Sequence, residues 1–291
     1  MTQSLLSLVT AELSAPADPR AAAMAGALAA QYPDAARAVL FYGSCLREEN
    51  LDGLMLDFYL IISDYRAAYG KGWLATANRL IPPNVFPFEY NGLIAKYAVL
   101  TEGDFARLNS AAADNVSVWA RFAQPSRLLW AADDLARQRV VSAVASAAPT
   151  LLALARPMTE AQDVLSLWKT GFTLTYNAEL RAEKKGRSLS IVDADPDRYR
   201  RFGEAALAQG LPSSPAEAAS HWRKLQRRGK WLSVVRLAKA SFTYAGGIDY
   251  LAWKINRHAG TAIAIKPWQR RWPLVGALTL LPRLFRGGAI R

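Results

Sequence analysis

Residues 40–64 read LFYGSCLREENLDGLMLDFYLIISD, and the order of apolar, turn and charged positions in them decides the fold. An apolar run from Ala38 to Phe41 stops at Gly43-Ser44, directly after Tyr42. A polar stretch follows, and a second apolar run then carries one acid, Asp57, near its start. This order predicts a strand, a Gly-Ser turn opening a short helix, and a second strand presenting a carboxylate. Gly43 lets the backbone approach a phosphate closely, and Ser44 offers a hydroxyl and an N–H at a helix N-terminus, where anions are favoured. Asp57 lies in a run otherwise suited to burial, where an acid is costly unless paired or bound to a cation. A triphosphate with its divalent cation would satisfy both halves. The alternatives are an ordinary strand–helix turn at Gly43-Ser44 and a strand-end Asp capping a neighbouring turn.

Outward from this stretch, residues 5–31 read as helical with a break at Ser14-Ala15-Pro16. Strands are expected at 37–42, 54–62 and 93–100, a helix at 67–79, and a short strand or loop at 83–92. A helix over 102–114 has Thr101 as its N-cap and Glu102 and Asp104 in its first turn. The β-α-β-β alternation fits a small mixed sheet with helices, an α+β class. From about Leu128 the pattern changes to Ala-rich helices, expected over 129–155 and 160–184, with a boundary near Gln124-Pro125 and a turn-rich stretch at 184–199. Lys96 stands in an apolar strand, where a lone ammonium is expensive unless an anion meets it. An edge-strand lysine facing solvent is the alternative.

The chain has 291 residues, 52% hydrophobic and 21% charged, enough for two domains and a sizeable core. Its single cysteine, Cys45, excludes a disulfide framework, and with only His221 and His258 beside it a structural zinc site is not expected. No His stands near Cys45 to activate it, so it reads as a packing residue. The N-terminus lacks a basic segment, so neither a secretory signal nor a transit peptide is expected. Net charge is +12, and residues 221–291 carry fifteen Lys/Arg against one acid, Asp249. The remaining 21 basic and 23 acidic residues nearly cancel, so the whole excess sits in the last quarter of the chain. Such polarity implies an anionic partner surface, nucleic acid or acidic lipid. The last segment, KPWQRRWPLVGALTLLPRLFRGGAIR, adds Trp268, Trp272 and Phe285 to five Arg and one Lys. Aromatic rings and snorkelling cations beside an apolar stretch suit a lipid headgroup boundary; the alternative is a terminal helix docked on the core.

Four segments, in order, resemble the mitochondrial-type CTP:phosphatidate cytidylyltransferases, the translocator assembly and maintenance family. They are YGS at 42–44 with MLDF at 55–58 and Asp64; EYNG with IAKYAVLT at 89–101; RFAQP at 121–125; and GFTLTYNAELR at 171–181. The similarity runs over roughly residues 38–260. Cys45, Ala98 and Gln124 depart from the family pattern, and Tyr59 stands where many nucleotidyltransferases place a second acid on the same strand face. The resemblance implies a nucleotidyltransferase domain over 1–127 and a mainly helical domain over 128–258, winged-helix-like as one option. A basic amphipathic membrane-binding tail would follow over 259–291.

The same resemblance implies Mg²⁺-dependent transfer of CMP from CTP to phosphatidate, giving CDP-diacylglycerol and pyrophosphate. Asp57 and Lys96 would be catalytic. Tyr42, Gly43, Ser44, Arg121, Tyr176 and Arg181 would contact the nucleotide, and Asp57 would hold the metal with Asp64 or Glu89. Arg181 reads equally as part of a surface network with Glu179 and Glu183. The partners expected are CTP, phosphatidate and an anionic membrane surface, without nucleic acid, for a cytoplasmic protein peripheral on the inner face of the cell membrane. The rival readings are nucleotidyl transfer to another lipid phosphate, and a catalytically silent module binding nucleic acid through its basic end.

Overall fold

The structure, a computed structural model, describes residues 3–48, 50–161, 163–179, 187–210, 215–243 and 264–271. Five strands, β1 (Ala36–Tyr42), β2 (Met55–Ile62), β3 (Asn84–Tyr90), β4 (Leu93–Thr101) and β5 (Ser126–Ala131), form one sheet in the order β3-β4-β2-β1-β5. β2 and β4 run parallel and the other neighbours antiparallel, so the sheet is mixed and the fold α+β. The stretch 83–92, open between strand and loop in the sequence, is β3 with its hairpin turn. Asn91 and Gly92 both take positive φ there, 48° and 77°, as a two-residue hairpin turn requires.

Side chains alternate between the faces of a strand, so the two faces have separate partners. One face presents Val39, Phe41, Phe58, Leu60 and Val99, which pack with Met24, Ala25 and Leu28 of α2 (Pro19–Ala30). Asp18 caps α2 and Pro19 occupies its first turn, where the missing N–H costs nothing. The opposite face presents Leu40, Tyr59, Ile61, Ala98 and Leu100 to a larger cluster that includes α1 (Leu5–Leu13) and the helices that follow β5. The sheet and these helices therefore share one core on that side.

After the sheet come α7 (Asp134–Ala145), α8 (Ala147–Ala155), α9 (Val164–Ala178), α10 (Arg187–Asp193), α11 (Pro196–Leu207) and the long α12 (Pro215–Thr243). Every regular element among the described residues after Ala131 is helical. Asp134–Met158 is long and apolar enough to cross a membrane, with mean hydropathy 1.4, yet 56% of its most apolar window is buried in this core. α12 reaches α9 by close backbone contact: a Cβ on Gly229 would stand 2.2 Å from the Ala178 carbonyl oxygen. No side chain fits there.

Several elements differ from the sequence reading: the stretch 184–199, expected to be turn-rich, holds α10 and the start of α11, and the helix expected over 129–155 breaks at Ser146 into α7 and α8. The helix expected from 129 begins at Asp134, because SRLLWA is instead β5, covering the edge of β1. The helix expected over 67–79 is two, α3 (Tyr65–Ala68) and α4 (Gly72–Leu80), separated by Tyr69–Lys71. The helix expected over 102–114 is α5 (Glu102–Asn109); its Thr101 cap, accepting from the Asp104 N–H, is as expected. Of the expected tail, residues 264–271 are described, including a short helix Pro267–Arg271; the rest lies outside the described residues.

Candidate functional site

Register brings Tyr42, Asp57 and Lys96 into one row across β1, β2 and β4. Paired residues share a face, and this row lies on the face that packs against the helical core, at the strand ends next to Gly43. Gly43 follows β1 with φ 95° and ψ −169°, a region open in practice only to glycine. A Cβ at Gly43 would also stand 3.3 Å from Asp57 Oδ2, so the turn brings bare backbone against the carboxylate. Asp57 Oδ1 accepts from Lys96 Nζ at 2.8 Å, the two side chains being 21% and 30% exposed. One contact of this kind leaves the remaining carboxylate lone pairs and ammonium donors available to solvent or ligand.

Lys96 is not on an edge strand, since β3 covers β4 on its outer side and Pro87 pairs with Lys96. Ser44 is exposed and begins a single 3₁₀ turn, Ser44–Arg47. The expected short helix is thus one turn, too short for a helix dipole, and what it offers a phosphate is the Ser44 hydroxyl and backbone N–H groups. Cys45 is buried with Sγ 3.5 Å from the Met55 carbonyl oxygen, and burial followed by the Asp57 charge pushes its thiol pKa up. It is a buried packing residue, as its sequence context implied.

Behind the row lies a buried polar cluster. The Tyr42 ring sits 5.2 Å from that of Tyr59 and 5.9 Å from that of Phe122. Burial, then the charge of Asp57, raises the Tyr42 hydroxyl well above the usual phenol range, so it stays protonated. Arg121 lies in the short helix α6 (Trp119–Phe122) and donates to the Ser117 carbonyl oxygen. Its Nη1 is 3.9 Å from Glu179 Oε1. Burial opposes its charge, but the carboxylates of Glu179, first, and Asp57 outweigh that and hold the guanidinium ionised. Tyr176 packs at the edge of the same apolar cluster, a turn before Glu179.

The other expected ligands are elsewhere. Asp64 caps α3, accepting from the Arg66 and Ala67 N–H groups, with Arg79 3.8 Å away. It follows the far end of β2, seven residues on from Asp57, and extended chain of that length spans roughly 20 Å. Glu89 is exposed on the edge strand β3, opposite Ile94, two strands from Asp57 and two rows further out. Both carboxylates thus stand apart from Asp57 in this structure. Arg181 lies outside the described residues.

Among the described residues no group of three His, Cys, Asp or Glu is placed to hold a metal. Mg²⁺ commonly binds through one or two carboxylates with substrate phosphates and waters completing the shell, so Asp57 alone fits that mode. Sequence reading missed Arg236, which donates to the Pro82 carbonyl oxygen at 2.9 and 2.6 Å and to Asn115 Oδ1 at 3.3 Å. The signal was present: Arg236 falls on the same stripe of α12 as the buried residues Trp222, Leu225, Gly229 and Leu232. Burial lowers its pKa, and the Glu179 carboxylate opposes that, linking α12 to the cluster.

The chain matches no protein-family profile and no curated protein. Among solved structures it is similar to a nucleotidyltransferase-like protein from Exiguobacterium sibiricum 255-15, 13% identical over 92% of this chain and 91% of that chain, with a TM-score of 0.27. A likeness at that score carries no weight; the α+β class rests on the sheet and helices themselves.

Proposed function

We propose that this chain is a nucleotidyltransferase that moves CMP from CTP to phosphatidate, releasing pyrophosphate, as the sequence resemblance implies. The observation that carries the transfer reading is the juxtaposition of Gly43, Asp57 and Lys96, with bare backbone, carboxylate and ammonium meeting at one end of a sheet face. Phosphoryl-type transfer asks a protein for positioning and charge neutralisation, and these three groups supply both kinds of contact. Mg²⁺, when bound, would neutralise phosphate charge and polarise the bond that breaks.

In this reading Asp57 would hold the cation, and the Lys96 ammonium would donate to a phosphate oxygen. Gly43 admits the triphosphate, and the Ser44 hydroxyl donates to it. Arg121, kept charged by Glu179, holds Tyr42 and the row behind Asp57 in place. The choice of CTP and phosphatidate as substrates rests on the sequence resemblance, which the four segments carry together. Action at the inner face of the cell membrane rests on the basic, Trp-containing C-terminal sequence. The test is to incubate purified protein with each radiolabelled NTP, Mg²⁺ and phosphatidate-containing vesicles. A labelled CDP-lipid from CTP alone is expected. Its absence with every nucleotide would refute the proposal, and product with a different lipid phosphate would replace the acceptor.

A further inference from the structure

The exposed side of α12 is chemically unlike a solvated helix face. Ala218, Trp222, Leu225, Gly229 and Leu232 form its buried stripe. The residues on the opposite side include Arg223, Lys224, Arg227, Lys230 and Trp231, all exposed, Trp231 at 61%. Arg228, at the border, pairs with Asp114 at 2.5 Å, whereas none of the other four cations has a carboxylate partner among the described residues. The 29 residues of α12 contain one acid, Glu217. A solvated helix ordinarily intersperses both signs and gains from i,i+4 pairs. Here four cations occupy the two turns that lead up to a large exposed aromatic, over a stretch of roughly 12 Å.

We infer that this face of α12 docks the protein on an anionic phospholipid bilayer. Unpaired Lys and Arg complement acidic headgroups, and an indole at the end of their row is satisfied at the headgroup level, with its apolar body inward and its N–H in water. Single-stranded nucleic acid is bound in grooves with successive stacking rings, whereas this face is convex and carries one ring. The basic excess also continues past α12 into sequence with an apolar stretch at 273–282. The inference shares the membrane setting of the proposed function and places the contact on a folded element instead of on the tail alone. It stands or falls on binding, independent of turnover.

Full-length protein is mixed with vesicles of phosphatidylglycerol and phosphatidylcholine, or of phosphatidylcholine alone, and the bound fraction measured by sedimentation at rising salt. Wild type should bind the anionic vesicles only. The variant R223Q/K224Q/R227Q/K230Q, with the tail intact, should bind them about a hundredfold or more weaker at low salt. Trp231→Ser should cost about tenfold with little salt dependence, since it removes buried apolar area. All four cations and Trp231 are exposed, so melting temperatures should match wild type; if the fourfold variant misfolds, Arg227→Glu and Trp231→Ser carry the test singly. Equal vesicle binding by wild type and variants would overturn the inference. So would a duplex oligonucleotide that binds wild type more tightly than vesicles and loses that binding in the fourfold variant. Vesicle binding without any CDP-lipid product would leave this inference standing and remove the proposed reaction.

Discussion

Among the ion pairs of the described residues, those of Arg198 with Glu12 and of Lys96 with Asp57 are built differently. Arg198, 4% exposed, meets Glu12 through two bonds of 2.5 and 2.9 Å and gives a third to the Ala123 carbonyl oxygen at 3.0 Å. Its guanidinium carbon also stands 4.2 Å from the Phe202 ring centroid and 4.8 Å from that of Tyr199. This pair ties α11 to α1 and to the end of the short helix before β5, and little is left for anything else to bind. Lys96 and Asp57 share one contact at 2.8 Å and remain part-exposed beside a glycine turn. A planar fork locks a carboxylate, whereas a single ammonium on a flexible stem can be exchanged for another cation. The first pair has the form of a structural joint and the second that of a site waiting for charge.

The largest expected effect falls on the exchangeable pair. Asp57→Asn keeps the volume and removes the charge, so transfer should fall on the order of 10³-fold or more while the melting temperature stays close to wild type. Steady-state assay at saturating Mg²⁺ decides it, and retention of more than about a tenth of the activity would remove Asp57 from the site.

The locked pair should respond the other way. Arg198→Met leaves Glu12 buried without a partner and should destabilise by about 3–5 kcal/mol, with activity per folded molecule unchanged. Adding Glu12→Gln should recover much of that loss, because the stranded charge is gone. Urea melts of the single and double variants make the comparison, and a near-neutral single variant would contradict the structural role.

Gly43→Ala places a side chain at φ 95° and against Asp57 Oδ2. About 1–3 kcal/mol of stability should be lost, together with activity, because the carboxylate must shift. A variant as stable and active as wild type would mean that the turn does not need bare backbone.

The smallest effect concerns Lys239 of α12, which donates to the Ile81 and Pro83 carbonyl oxygens. Burial, then repulsion from Arg236, lowers its pKa to about 7, against about 10.4 in an unfolded chain. The unfolded state therefore binds more protons between these values, so this group makes stability rise with pH from about 7 towards 10 and lowers it most below 7. A gain of about 1–2 kcal/mol between pH 7 and 9 is expected relative to Lys239→Met. Parallel pH profiles for the two proteins would show that Lys239 titrates normally.

Much of the sheet was legible in the sequence because apolar runs interrupted by glycine, proline and capping residues report local backbone directly. The strand–turn–strand around Gly43 and the Thr101 cap follow from that. β5 was not legible: SRLLWA is short, lies next to an Ala-rich helix, and becomes a strand only because β1 has an edge to cover. Asp64 shows the same limit from the side of chemistry. A carboxylate after an apolar strand serves equally as ligand or helix cap, and only the direction taken by the chain separates the roles. Arg236 was hidden in a basic block whose other members face outward, although its spacing from Trp222 and Leu225 put it on the inward stripe.

The most direct test of an exchangeable Asp57–Lys96 pair is the shift in unfolding free energy on adding Mg²⁺ and CTP together, measured for wild type and Asp57→Asn at equal concentrations. A ligand at about a hundred times its dissociation constant stabilises by about 2.7 kcal/mol. Wild type should gain a shift of that order that requires both Mg²⁺ and CTP, and Asp57→Asn should show little or none. Equal stabilisation of the two proteins, or none of wild type, would contradict the account.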